Sequence, residues 1–224
     1  YSNTEMNQLF KGEAQTPSCF FLLEKTETDK TVMLYDDTKQ TYISYHLNSE
    51  KIIPVFGVSL INTILPYTLK YGCMDVKKTN LPSKKIGFSE MKSEKFKYEN
   101  IKTCYQKDFK PEFIKMYSDQ PCPFYGETKI IMAHGMYGLP FVDEAGKYGI
   151  SNRDKYVIMG YKIDDLHRIK LFLSTNFARI LFKATRYRMM FLEKYIFRLI
   201  PDITKIPNFP KDITEESVCE FFKN

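Results

Sequence analysis

Apolar and β-prone residues gather in short runs near the start of the chain, at residues 18–23, 31–35 and 41–45, with polar turns at 27–30 and 36–39. Runs of this length and composition predict strands, and their spacing fits two short hairpins. Residues 51–71 are mostly apolar and punctuated by Pro54, Gly57 and Pro66. That pattern predicts a strand leading into a short helix over 58–65. Residues 77–107 are polar and rich in lysine with little periodicity, which predicts an exposed loop or edge region. Two unbroken apolar runs follow, at 129–134 and 156–159, and predict buried strands.

Helical spacing takes over after the second run. Leu166, Ile169, Leu173, Phe177, Ile180 and Leu181 recur on one face, with Asp164 or Asp165 as the N-cap. The sequence at 174–176 (Ser-Thr-Asn) predicts a break that caps a second helix. A further helix is predicted over 187–199, with Met190, Phe191, Tyr195 and Leu199 on one side and Pro201 as its stop. Residues 203–210 read as an extended connector, and Thr214 caps a last short helix through Phe222. The whole predicts an α+β chain: a mixed or antiparallel sheet of six to eight strands with a C-terminal helical layer. A single unit over 1–224 is expected, with a β-rich part at 1–128 that includes a basic loop region at 70–115. Strand, loop, strand and helices then follow at 129–224.

Glycine placement adds a candidate site. Six of the ten glycines lie between Gly126 and Gly160, most of them in an excursion at 135–149 between the two buried strands. Such a loop on a rigid hairpin is expected to present side chains to a ligand. It has no G-x-G-x-x-G, and Tyr148 stands where a phosphate loop would place Ser or Thr, eight residues from Gly138 to Gly146 being the wrong span besides.

Charge narrows the ligand. The net charge of +6 is modest, yet residues 70–115 hold 12 Lys against 6 acidic residues, and residues 161–200 hold 9 basic against 3 acidic. Five of the six arginines (Arg168, Arg179, Arg186, Arg188, Arg198) fall in the second block, and Arg153 closes the glycine-rich excursion. Clustering of this kind is the electrostatic mark of a polyanion partner. A solvated lysine surface explains the first block equally well. The five cysteines include no C-x-x-C pair, which points to neither a disulfide framework nor a zinc ribbon and suits a reducing interior. No leader with an apolar core opens the chain, and no run is clean enough to span a membrane, so an intracellular protein, cytoplasmic or nucleoid-associated, is expected. The chain begins at Tyr1, which fits a processed or trimmed chain or a piece of a longer one.

Candidate chemistry is sparse. There is no G-x-S-x-G elbow, the histidines (His46, His134, His167) are scattered, and Cys122 sits between two prolines. Adjacent carboxylates such as Asp143/Glu144 and Asp164/Asp165 read as turn and cap residues. Asp75 with Glu90-Met-Lys92 has the order of a magnesium-dependent nuclease, in which two carboxylates hold the metal and lysine orients water. His134, at the mouth of the loop beside Tyr137, is either a hydrogen-bonded strand end or a base or phosphate contact. Arg153 either pairs with Asp154 or Asp143 or contacts DNA. Arg186 and Arg188 flank Tyr187, an arrangement suited to phosphate contact with stacking.

From residue 129 to 222 the chain resembles the target recognition part of restriction–modification proteins, the specificity domains of N6-adenine DNA methyltransferases and of type I specificity subunits. The residues carrying this are Lys129-Ile-Ile-Met, Asp143-Glu-Ala-Gly146, Tyr156-Val-Ile-Met159, the segment at 165–175, and the proline-bearing close at 200–207. The methyltransferase signature Asn/Asp-Pro-Pro-Tyr/Phe is absent, Pro121-Cys-Pro-Phe124 being a poor substitute, and no glycine-rich S-adenosylmethionine loop is present. The resemblance therefore implies a reading module without its catalytic part. S-adenosylmethionine would belong to an associated catalytic domain or subunit, and this chain would need no cofactor or metal of its own. Double-stranded DNA is the expected partner, with Lys77, Lys78, Lys84, Lys85, Arg186 and Arg188 on phosphates and His134, Tyr137 and Arg153 near bases. The other expectations are the nuclease and a non-enzymatic protein-interaction domain with a Phe- and Tyr-rich surface.

Overall fold

The computed structural model describes residues 3–13, 18, 25–36, 38–47, 52–108, 110–135, 138–185 and 191–223. In chain order the elements are α1 (Asn3–Leu9), β1 (Thr31–Asp36), β2 (Thr41–His46), α2 (Val58–Tyr71), β3 (Val76–Lys78), β4 (Phe88–Ser89), β5 (Tyr98–Lys107) and β6 (Lys110–Ser118). There follow β7 (Lys129–Ala133), β8 (Gly138–Asp143), β9 (Gly149–Ile150), β10 (Lys155–Met159), α3 (Ile163–Ser174), α4 (Asn176–Ala184) and α5 (Glu215–Phe221). Single 3₁₀ turns lie at Lys194–Arg198 and Ile203–Lys205.

The class is α+β, as expected, but the strands do not join one sheet. A central sheet runs β3-β10-β7-β8 with every neighbour antiparallel. A second sheet runs β4-β6-β5-β9, in which β5 and β9 are parallel. Among the described residues β1 and β2 pair only with each other. The division follows from β7 and β10, whose apolar runs leave no face for water. Ile130, Met132, Tyr156 and Ile158 belong to the large core shared with the helices. Ile131 and Val157, on the opposite face, pack with Ile101 and Ile150 of the second sheet. A sheet buried on both sides needs a layer on each, and here one is helical and the other is β.

The helical layer is drawn from two parts of the chain. α3 and α4 supply Leu166, Ile169, Phe172, Leu173, Phe177, Leu181 and Phe182 to the core. Thr175 breaks them apart as expected, its hydroxyl accepting from the Ala178 N–H at 3.2 Å. α3 starts slightly earlier than the predicted cap, so Asp164 and Asp165 lie in its first turn, where the helix dipole favours them. Thr214 and Ser217 form a reciprocal capping box at α5. The helix expected at 58–65 is present as α2, but it runs on through Pro66 to Tyr71 and buries Val58, Ile61, Ile64 and Leu65. Pro66 removes one helical hydrogen bond, a loss that this core contact outweighs.

Three other expectations are corrected. Residues 77–107, expected as an exposed loop or edge region, hold most of β3 and all of β4, which are edge strands. They also hold the whole of β5, which is an interior strand because pairing with β6 and β9 supplies partners that local pattern does not show. Of the helix expected at 187–199, residues 187–190 lie outside the described residues; over 191–199 only the 3₁₀ turn forms, and Phe191 makes a β-bridge with Gly135. The first 48 residues include a helix, α1. Of the strand expected at 18–23, residues 19–23 lie outside the described residues. Among the described residues no helix is long and apolar enough to cross a membrane.

Asp36 joins the hairpin to the helical layer. Fully buried at the end of β1, it accepts from the Val58 N–H at 2.8 Å, capping α2 across 22 residues of sequence, and also from the Thr38 N–H and hydroxyl. Gly57 takes the left-handed conformation (φ 70°) at the helix entry and supplies no side-chain cap. Burial alone would raise the Asp36 pKa, but the hydrogen bonds from Thr38, Gly57 and Val58 outweigh it and hold the carboxyl below its usual range. Stability from this group is therefore complete above the unfolded carboxyl value near pH ~4 and is lost as pH falls through the folded value. Asp36→Ala is expected to cost about 2 kcal/mol in urea unfolding at pH 7. The loss relative to the parent chain should shrink below pH ~4.

Candidate nucleic-acid interface

One end of the central sheet gathers four of the residues singled out from sequence, Lys77, Lys78, His134 and Arg153. β3 and β7 finish there, and β10 begins. The turn at 151–154, which carries Arg153 at its exposed apex, is pinned from three sides. The Thr79 hydroxyl donates to the Asn152 carbonyl at 2.9 Å and accepts from the Lys155 N–H at 3.1 Å. The His134 N–H donates to the Asp154 carbonyl at 2.9 Å. From the second sheet, the Thr103 hydroxyl reaches the Asp154 carboxylate at 3.5 Å.

The carboxylates that Arg153 was expected to compete for are taken. Asp154 pairs with Lys155, whose ammonium is buried, and Asp143 pairs with Lys129 at 2.6 Å. Among the described residues, neither Arg153 nor Lys77, Lys78, Lys84 or Lys85 is in an ion pair. Lys77 and Lys78 lie opposite Val157 and Tyr156 in the register, and successive residues of a strand project to opposite faces. The Lys78 ammonium stands 6.0 Å from the centre of the Tyr156 ring. Lysines on this edge strand also discourage pairing with another chain. Lys84 and Lys85 are exposed on a turn closed by the Ile86 N–H to the Ser83 carbonyl, on the connection that leaves Thr79.

His134 is half-buried and stacks on Phe191, with ring centres 4.8 Å apart and planes 15° from parallel. It meets Tyr156 edge-on at 5.7 Å. The Leu192 N–H donates to the His134 carbonyl at 2.6 Å and the Tyr156 hydroxyl donates to the Leu192 carbonyl at 2.7 Å, so Phe191 and Leu192 extend the sheet end. Burial raises the Tyr156 pKa and keeps this phenol neutral. Phe191 is 46% exposed and belongs to this site, although the sequence places it on a helix face. Its bridge to Gly135 links positions 56 apart, beyond any local pattern. Tyr137, Arg186 and Arg188 lie outside the described residues. Arg168, Arg179 and Arg198 are on the helical layer, Arg168 beside Asp165 at 3.9 Å.

The glycine-rich excursion serves packing in its described part. Residues 138–143 are strand β8, not a presenting loop. Asp143 then folds the chain back by accepting from the Lys147 and Tyr148 N–H groups, both at 2.9 Å. A Cβ on Gly146 would stand 2.5 Å from the Gly126 carbonyl carbon, and one on Gly149 would stand 2.3 Å from Asn100 Oδ1. Gly146 lets two backbones touch, and Gly149 makes room for the Asn100 and Cys122 side chains. Burial lowers the Lys129 pKa, and Asp143 opposes that shift.

The nuclease-like residues belong to different sheets. Asp75 precedes β3 of the central sheet, whereas Glu90 and Lys92 follow β4 of the second, and Glu90 pairs with Lys102 at 3.7 Å. Among the described residues no group of three His, Cys, Asp or Glu side chains is placed to hold a metal ion.

Two substitutions test how the site is held. Asp143→Ala leaves the Lys129 ammonium buried without its counter-charge and is expected to cost about 3–5 kcal/mol in chemical denaturation. Thr79→Val keeps shape and charge but unpins the 151–154 turn. It is expected to cost about 1–3 kcal/mol and to speed amide exchange at Lys155.

No protein-family model, curated protein or solved structure matches this chain.

Proposed function

We propose that this chain binds double-stranded DNA through the cationic end of its central sheet. The observation that carries this reading is the set of exposed cations with no carboxylate partner among the described residues, Arg153 on its pinned turn with Lys77 and Lys78 on the adjacent edge strand. A lysine or arginine that spends no charge on its own protein can release counterions from phosphate. Holding Arg153 from both sheets reduces the entropy it would lose on docking. The half-exposed Phe191 on His134 gives the surface an aromatic element within the same group. The sequence resemblance extends the proposal: the chain reads a particular site for an adenine methyltransferase or restriction enzyme whose catalytic domain handles S-adenosylmethionine.

Selection from a pool of random duplexes at two salt concentrations tests it. Enrichment of a short motif is expected, with affinity falling steeply as salt rises. Replacing Lys78 and Arg153 together by alanine should weaken binding to every sequence alike and reduce the salt slope by roughly 2, at about 0.9 per phosphate contact. Absence of binding at low salt would sink the proposal.

A further inference from the structure

The second sheet is four strands wide only at its root. β9 pairs with β5 at Asn100 and Ile101 alone, and β4 pairs with β6 at Tyr117 and Ser118 alone. Beyond them β5 and β6 continue as a two-stranded ribbon, from Thr103 opposite Ile114 to Lys107 opposite Lys110. Five rungs at ~3.4 Å each give a projection of roughly 15 Å. A register shift between Ile101 and Thr103 marks where the ribbon leaves the sheet.

Its two faces differ. Phe113 anchors the inner face, edge-on to Phe141 at 4.7 Å. Alternation puts Thr103, Tyr105, Lys107, Lys110, Glu112 and Ile114 on the other. There Tyr105 and Ile114 are 44% and 46% exposed, and Lys107, Lys110 and Glu112 are exposed as well. The root of this face meets the cationic site: Thr103 contacts Asp154, and the Lys155 ammonium lies 3.5 Å from the Lys102 carbonyl.

Resting on the DNA-binding reading, we infer that the β5–β6 ribbon enters the major groove and that Tyr105, Glu112 and Ile114 read base edges there. A major groove about 12 Å wide admits a two-stranded ribbon. The side chains on the outer face match what its floor displays. Ile114 suits a thymine methyl, the Glu112 carboxylate can accept from a cytosine amino group, and the Tyr105 hydroxyl can donate or accept. Lys107 and Lys110 are balanced by Asp108 and Glu112, so the ribbon adds little net charge. Phosphate attraction falls to Arg153 and Lys77 at its root and to Lys78 on the other face of the edge strand, which leaves the ribbon to discriminate.

The test repeats the duplex selection with Tyr105→Ala/Ile114→Ala and, separately, Glu112→Gln. Both change exposed positions, so thermal melting should match the parent chain. The double variant is expected to keep its salt slope while losing about tenfold discrimination at each of one or two adjacent base pairs. Glu112→Gln should relax one position only. If the parent chain selects a motif and both variants select it equally well, the ribbon assignment is overturned and DNA binding stands. Uniform weakening on all sequences with a lower salt slope would also overturn it. If the parent chain binds no duplex, the DNA reading falls and takes the ribbon with it.

Discussion

The architecture depends on two adjacent strands that have no solvent face. β7 and β10 pair in register, Lys129 opposite Met159 and Lys155 opposite Ala133, and nearly every position between is buried. Each face must then be covered, and the chain has two kinds of cover available. Helices take the Ile130–Met132 face, and β5 with β9 takes the Ile131–Val157 face. Full burial of an Ile or Val side chain is worth about 1.5–3 kcal/mol, so the pair of strands supplies a large share of the driving force for both layers. A charged substitution at Ile131 or Val157 would separate the sheets, whereas the same change at Lys77 touches only the rim.

Each buried strand opens with a lysine, and both lysines are buried. Taking an ammonium out of water costs several kcal/mol, and a carboxylate partner does little more than recover that cost. The value of the pairs is positional. Lys129 fixes Asp143, which folds residues 143–148 so that β9 can leave the central sheet and join the second. Lys155 fixes Asp154, which sets the Arg153 turn and meets Thr103 of the ribbon. The two charges lie at opposite ends of the strand pair, and each ties the central sheet to its neighbour.

What the sequence made legible follows from the range of the forces involved. The strands at 129–133 and 155–159, the break at Thr175 and the Thr214 cap are set by residues a few positions apart, and pattern alone predicts them. The ribbon was hidden because lysine and glutamate interrupt any apolar alternation in β5 and β6, and only cross-strand pairing makes strands of them. The continuation of α2 through Pro66 was hidden for a similar reason, since local chemistry says stop and the core contact overrides it. Glycine was legible as punctuation but not in purpose. Gly146 faces backbone about 20 residues away in sequence and Gly149 faces side chains farther off still, and nothing near them records that contact.

Charge shows the same division between sequence and space. The lysine-rich block at 70–115 is contiguous in the chain, yet its members separate onto the β3 edge, the 84–85 turn and the ribbon. Several spend their charge internally, Lys102 on Glu90 and Lys115 on Glu99. The described arginines of the second block lie on the helices, and Arg153, outside both blocks, stands at the junction of the two sheets. A count of basic residues therefore weighs spent and unspent cations alike. Hydrogen bonds at the sheet end make the distinction, because they assign Asp143 and Asp154 to buried lysines and leave the arginine facing solvent. A site for a polyanion is built as much by where carboxylates are committed as by where cations are placed.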